Sequence, residues 1–396
     1  MRRKRAILPV LTLMLLASAL TCLIILLTAG RKLGILDGYY YEMREYAALM
    51  KNIQELYIGS YEREDLSAAA LRAAVDALGD RWSYYMTAEE YAKYLDNTAN
   101  RFAGIGVTGA VDEETGGMRV YSVYKGSAAE TGGVVAGDVI IMIDGENISG
   151  LTFDEMRGLL SRELGDCVEL GVIRPDGTRA DLTVIYSLVF ADPVSSEMLA
   201  GNIGYIKLDN FETSSADGFI MAVKQLSEQG AQAFIYDVRG NGGGRVAEMT
   251  KILDYLLPEG EIFVSVDRAG NESITMSGPE SVEIPCVVLV DRYSFSAAEY
   301  FAATIAEYGY GTVAGEQTTG KNRSQVTVTL PGGGALHISS GEYLTKNRVS
   351  LYDRGGLTPD HELPLNDEDM YMLFVGLLEI EDDPQIALAI SLLTDQ

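Results

Sequence analysis

The stretch YSFSAAE, Tyr293 to Glu299, places Ser296 just ahead of a run with helical spacing, and Lys321 and Gln325 come after it in GEQTTGKNRSQ. A serine hydroxyl attacks a carbonyl when a base takes its proton. The chain has only two histidines, His337 and His361, so a Ser-His-Asp arrangement would have to recruit one of them. Lysine is the better base here, because burial strips the proton from an ammonium and the neutral amine can then accept that of serine. Gln325, four residues after Lys321, is suited to orient the amine. Ser296-Ala-Ala-Glu299 also reads as a helix capping box, which alone would account for the serine. The loop DVRGNGGGR adds chemistry: Gly240 and Gly242 to Gly244 come directly after a strand, and their amides can approach a ligand closely. Paired with the amide of Ala297, such donors would hold charge developing on a peptide carbonyl. His337 alternates with apolar neighbours on an expected strand and His361 comes after Pro359-Asp360 in a turn, so both read as packing or surface residues.

The elements that must position these residues alternate strand and helix. NIGYIKL (202–208) is an expected strand, 214–226 a helix, and AFIYDV (233–238) a strand leading into the glycine loop. CVVLV (286–290) runs directly into the Ser296 turn, and Phe301 and Ile305 continue the helical period beyond it. A mostly parallel sheet in a mixed α/β layer is the natural packing, with Ser296 on a strand-to-helix turn at a helix amino terminus. Between 102 and 186 the period shortens to alternating strands, FAGIGV, MRVYSV, GDVIIMIDG, VELGVIR and ADLTVIY, with two small helices. Ahead of them, Met43, Tyr46, Met50, Ile53 and Tyr57 mark one apolar helix face, and a second helix is expected from about 66 to 78.

The chain has 396 residues, a hydrophobic content of 47% and a formal net charge of −26. Two or three domains are expected, and the acidic balance argues against nucleic acid as a partner. Cys22, Cys167 and Cys286 are far apart and lack metal-ligand spacing, so neither a disulfide framework nor a metal site is expected. MRRKR and then an apolar run from Ala6 to Ala29 read as an uncleaved membrane anchor. The basic residues would hold the amino terminus in the cytoplasm and send the remainder outside, as a single-pass protein of the cell membrane; a cleaved signal peptide is the competing reading.

FAGIGV together with GSAAETGGVVAGDVIIMIDG resembles a PDZ domain. The resemblance implies that amides of Gly104, Ile105, Gly106 and Val107 hold the carboxylate of a peptide that adds as a strand. DVRGNGGG, YSFSAAE, GEQTTGKNRSQ, GGLTPD (355–360) and DPQIALAISLL (383–393) resemble the carboxy-terminal processing, or tail-specific, peptidases, and DRWSYYMTAEEY resembles the stretch ahead of their PDZ domain. Likeness to that family implies an α/β, multidomain fold in which a helical region (33–100), a PDZ domain (101–190) and a mixed α/β protease core (191–396) follow the anchor (1–32) read from the apolar run, and the apolar stripe of the helical region makes a homodimer one option. It likewise implies Ser296 as the nucleophile, Lys321 as the general base and Gln325 as the residue that fixes it, with Gly243 and Ala297 as oxyanion donors. The implied chemistry requires no cofactor or metal, and the implied partners are protein or peptide carboxy-terminal tails. Phe295 stands where the family usually has a small residue, Gly242 where proline is frequent, and Asn322 where glycine is frequent. The alternative is a membrane-tethered peptide-binding scaffold with an inactive core.

Overall fold

The computed structural model describes residues 37–394, together with 18, 20 and 21. The apolar run assigned to an anchor otherwise lies outside the described residues, among which no helix is long and apolar enough to cross a membrane. The chain divides into two compact units, 1–70 and 71–396. In the first, the expected apolar stripe does form a helix, α1 (Tyr40–Leu56), yet none of its residues is buried. Helix α2 (Arg63–Asp76) begins earlier than expected, so Glu64 and Asp65 occupy its first turn, where acidic side chains complement the helix dipole.

The boundary between the units falls within α2, and the second unit continues with strand β1 (Tyr84–Met86) and helix α3 (Ala88–Asn97), whose Thr87 and Glu90 close a reciprocal capping box. The expected compact sheet domain comes next: β2 (Arg101–Gly104), β3 (Val107–Val111), β4 (Met118–Val123), α4 (Ala128–Thr131), β5 (Val139–Ile143), β6 (Glu146–Asn147), α5 (Phe153–Leu159), β7 (Cys167–Ile173) and β8 (Arg179–Ile185). Its antiparallel sheet runs β3-β4-β5-β7-β8, with β6 paired to β5. Strand β7 shows why it folds this way: Val168, Leu170 and Val172 face a core containing Ile140, Ile148 and Met156, while Cys167 and Glu169 face solvent. Strand β9 (Ser187–Phe190) pairs with β2, so both ends of the domain leave through one two-stranded ribbon.

The core continues with β10 (Val194–Leu199), β11 (Ile203–Leu208), α6 (Ser215–Glu228), β12 (Ala233–Asp237), α7 (Val246–Leu256), β13 (Gly260–Asp267), β14 (Glu272–Ser277), β15 (Cys286–Val290), α8 (Ala297–Glu307), β16 (Gly311–Gly315), β17 (Arg323–Thr329), β18 (Ala335–Leu344), β19 (His361–Glu362), α9 (Asp367–Phe374) and α10 (Pro384–Thr394). One sheet has the order β10-β11-β12-β15-β16-β19 and is parallel except for β10. Strands β12 and β15 are buried at every position, the pattern of parallel strands covered on both faces. One face packs in a core with Phe219, Met249 and Phe301 from α6, α7 and α8; the other receives Ile386 and Ala389 of α10. A second, antiparallel sheet, β1-β18-β13-β14 with β17 on β18, was not legible from the pattern. It joins Tyr84 to His337 and so draws the segment around Trp82 against the core.

Candidate active site

Parallel strands deliver their carboxyl ends to one edge, and the functional segments are the loops after β12, β15 and β16. After β15, the Asp291 carboxylate accepts from the amides of Gly240 and Tyr293, both at 2.9 Å, and the Ser294 hydroxyl donates to the Val238 carbonyl at 2.7 Å. The turn is thereby stitched to the glycine loop. Ser296 adopts φ 59° and ψ −124°, a conformation that costs a non-glycine residue about 1–3 kcal/mol and that the surroundings must enforce. It is 7% exposed, at the amino terminus of α8.

Glu299, which the sequence suggests only as a cap, enforces that geometry. Its fully buried carboxylate accepts from the amides of Ser296 (2.9 Å), Lys321 (2.9 Å) and Gly320 (2.6 Å), and from the Thr318 hydroxyl. One side chain thus fixes the Ser296 turn and the lysine loop together. Burial pushes its carboxyl above the usual range, opposed by the hydrogen bonds it accepts.

Ser296, Lys321 and Gln325 all line one cavity of about 660 Å³. Lys321 Nζ lies 4.5 Å from the centre of the Trp82 ring and 5.9 Å from that of Phe295, and the two rings are 5.7 Å apart. This aromatic wall withholds water, and burial lowers the lysine pKa to about 8, partly offset by Asp80 and Glu299. The amine makes no hydrogen bond to Ser296, whose Oγ instead meets the phenol of Tyr343 at 2.7 Å. The expected Gln325–Lys321 contact is likewise absent: Gln325 Nε2 donates to the Arg323 carbonyl at 2.9 Å and to Ser339 Oγ at 3.1 Å. A bulge between Ser324 and Gln325 shifts the register on β18 and accompanies this local pairing.

Gly243 sits where an oxyanion donor is expected. A Cβ there would lie 2.8 Å from Ser296 Cβ and 2.9 Å from Ala297 N, and its φ of 89° also calls for glycine. Its amide, however, donates to Asn241 Oδ1 at 2.8 Å. Among the described residues the amides of Ala297 and Gly242 have no acceptor, so they are unengaged donors near Ser296. Asn241 is fixed by its own bond from Nδ2 to the Leu208 carbonyl, 2.7 Å.

Gly242 and Phe295, the two positions expected to depart from the family pattern, lie against each other. A Cβ on Gly242 would come within 2.8 Å of Phe295 Cζ, so the Phe295 ring fills the space that a side chain at 242 would take. His337 also lines the cavity, closer to the chemistry than its strand pattern suggests. It stacks on Tyr84 at 4.8 Å and its Nδ1 bonds the Thr327 hydroxyl at 2.8 Å. Burial, with the charge of Lys321, lowers its pKa to about 4, so it stays neutral near neutral pH. Trp82 and Tyr343 carry no local signal of a site; both arrive through the antiparallel sheet.

In the sheet domain, the carbonyls of Ile105 and Gly106 accept from Ala129 (2.7 Å) and Tyr124 (2.9 Å), which anchors the FAGIGV loop. Gly106 has φ 83°, and a Cβ there would meet Ser127 Cβ at 2.3 Å. The amides of Ile105 and Gly106 have no acceptor among the described residues, while Gly104 and Val107 belong to the flanking strands β2 and β3.

Residues 202–363 match Peptidase family S41 and residues 119–174 match the PDZ domain. The carboxy-terminal processing protease CtpA of Bacillus subtilis is 28% identical over 78% of this chain and 67% of its own length. The carboxyl-terminal-processing protease of a Synechocystis species is 28% identical over 75% and 71%. A solved Bacteroides fragilis structure assigned to the S41 proteases shares the fold, with a TM-score of 0.60 at 17% identity over 86% of this chain and 92% of that one. The strained serine turn and the desolvated lysine thus both lie within the segment that matches Peptidase family S41, the inserted sheet domain contains the segment that matches the PDZ domain, and the chain is similar over most of its length to proteins named carboxy-terminal processing proteases.

Proposed function

We propose that this chain is a serine endopeptidase that uses a Ser296–Lys321 dyad to cut proteins presented by their carboxy-terminal tails. The observation that carries the reading is the pairing, in one cavity, of a buried serine on a strained turn with a lysine whose pKa burial lowers to about 8. Lys321 swings from the Trp82 face onto Ser296 and takes the hydroxyl proton as Oγ bonds to the peptide carbonyl carbon. The resulting oxyanion is held by the amide of Ala297 together with Gly242, or with Gly243 once Asn241 releases it. The C–N bond then breaks, and the Lys321 ammonium returns the proton to the departing amine. Water attacks the ester with Lys321 again as base, the C–Oγ bond breaks, and the serine recovers its proton. Gln325 would orient the amine after leaving Arg323 and Ser339. The PDZ loop, with free amides at Ile105 and Gly106, would hold the tail carboxylate. From the sequence, the apolar run 6–29 would tether the enzyme to the membrane with the catalytic unit outside the cytoplasm.

The test is mass-spectrometric detection of cleavage of an unfolded protein bearing an apolar tail by the full chain, beside Ser296→Ala and Lys321→Ala. Cleavage lost in both variants is the expected result. Tail binding without cleavage by the wild type would favour the scaffold reading.

A further inference from the structure

The Tyr343 phenol has no part in that mechanism, yet it is the only side-chain hydrogen-bond partner of Ser296 Oγ among the described residues, an oxygen that also faces the Glu299 amide in the helix capping box. It is also among the most firmly held groups of the site. Tyr343 is 3% exposed; its amide donates to the Asn322 carbonyl at 2.8 Å, and its carbonyl accepts from the Tyr300 hydroxyl at 2.7 Å. Its ring meets Tyr300 edge-on at 4.7 Å and Phe263 at 5.6 Å. These contacts leave the hydroxyl aimed at the nucleophile.

The direction of the bond is set by proton accounting. Among the described residues the phenol has no acceptor other than Ser296 Oγ. If serine donated, the phenol proton would be buried without a partner, at a cost of about 1–3 kcal/mol. If the phenol donates, the serine proton stays free to face Lys321. Phenol is also the stronger acid of the two hydroxyls and hence the better donor. Burial raises the Tyr343 pKa far above its ordinary value, so the donor proton is retained.

We propose that Tyr343 is a further catalytic residue, whose phenol donates a hydrogen bond to Ser296 Oγ and stabilises charge on that oxygen when Lys321 deprotonates it and again when it leaves the acyl-enzyme. The proposal rests on Ser296 being the nucleophile. Tyr343 keeps its proton throughout; the proton that moves is that of serine or water, and Lys321 carries it.

Tyr343→Phe removes the hydroxyl and keeps the ring packing. In the full chain, acylation of Ser296 by a p-nitrophenyl ester is read as a burst of nitrophenolate, and deacylation as the later steady rate, with intact-mass spectrometry confirming the adduct. The expected result is acylation and deacylation each slowed about 10- to 100-fold, as for loss of a hydrogen bond to a charged group, so that KM, which follows the ratio of the two steps, stays within about twofold of wild type. Deacylation is read per acylated molecule, so partial unfolding of the variant would not imitate the effect. A normal adduct on Ser296 that deacylates at the wild-type rate in Tyr343→Phe overturns the role of Tyr343 alone. Failure of the wild type to form an adduct on Ser296 overturns the peptidase reading and this proposal with it.

Discussion

At the scale of single residues, the energetics turn on Lys321. Its pKa is lowered to about 8 because the Trp82 and Phe295 rings displace the water that would solvate its charge. With the neutral amine as the proposed base, activity should rise with pH through about 8. His337, held near 4, should not contribute above pH 6. The same shift bears on stability with a definite sign. Between about pH 8 and the ordinary lysine value of 10.5 the unfolded chain binds more protons than the folded one, so stability rises with pH across that window. Below it the full cost of burying the charge is present. Lys321→Met should therefore raise stability at pH 7 by about 2–3 kcal/mol and flatten the dependence between pH 8 and 10, as read by urea denaturation. Phe295→Ala should let water reach the amine and move the activity limb upward by about one pH unit, without a matching loss at pH 9. An unmoved limb would mean that the aromatic wall does not set the lysine.

At the scale of elements, three loops at one sheet edge are held in register by buried polar side chains. Glu299 gathers the amides of Ser296, Gly320 and Lys321; Asp291 gathers those of Gly240 and Tyr293; Asn241 fixes Gly243. Removing Glu299 leaves buried donors unsatisfied, each worth about 1–3 kcal/mol. Glu299→Ala should lower the melting temperature and abolish turnover together, whereas Glu299→Gln, which keeps one acceptor oxygen, should retain most of the stability and a measurable fraction of kcat; calorimetry beside a peptide assay separates the two. The parts of the site legible in the sequence are the local ones. YSFSAAE and DVRGNGGG encode a strand, a sharp turn and its ligands within a few residues, and glycine or serine at those positions carries its own conformational signal. Trp82 and Tyr343 were not legible, because their roles exist only after β1 and β18 pair and bring Tyr84 beside His337. Gln325 misled for a related reason: spacing from Lys321 is local, but the partners it takes in the structure depend on the bulge and on Ser339 across the sheet.

At the scale of the whole molecule, the sheet domain and the catalytic edge are linked through the β2–β9 ribbon, and the sheet is closed behind by the carboxy-terminal helix α10. That closure is polar as well as apolar. Arg239, fully buried in the glycine loop, binds Asp237 through two nitrogens at 2.9 and 2.6 Å, Asp383 at 2.8 Å and Gln385 at 2.8 Å. Asp383→Ala should destabilise the fold by about 1.5–3 kcal/mol, as for loss of a hydrogen bond to a charged group that keeps its other partners, and should disturb the glycine loop; a denaturation curve shifted by less than about 0.5 kcal/mol would refute the network. The free amides of Ile105 and Gly106 predict that a tail peptide with a free carboxylate binds at least about tenfold tighter than its carboxamide, measured by calorimetric titration. The proposed catalysis depends above all on activation of Ser296 by a neutral Lys321. The decisive quantity is the rate of covalent labelling of Ser296 by a peptidyl fluorophosphonate from pH 5 to 10, repeated in Glu212→Gln to remove a further cavity group, whose pKa burial raises to about 7. A neutral lysine base should give a single limb near pH 8 that persists in Glu212→Gln and disappears in Lys321→Ala. A flat profile, or a limb unchanged by loss of Lys321, would contradict it.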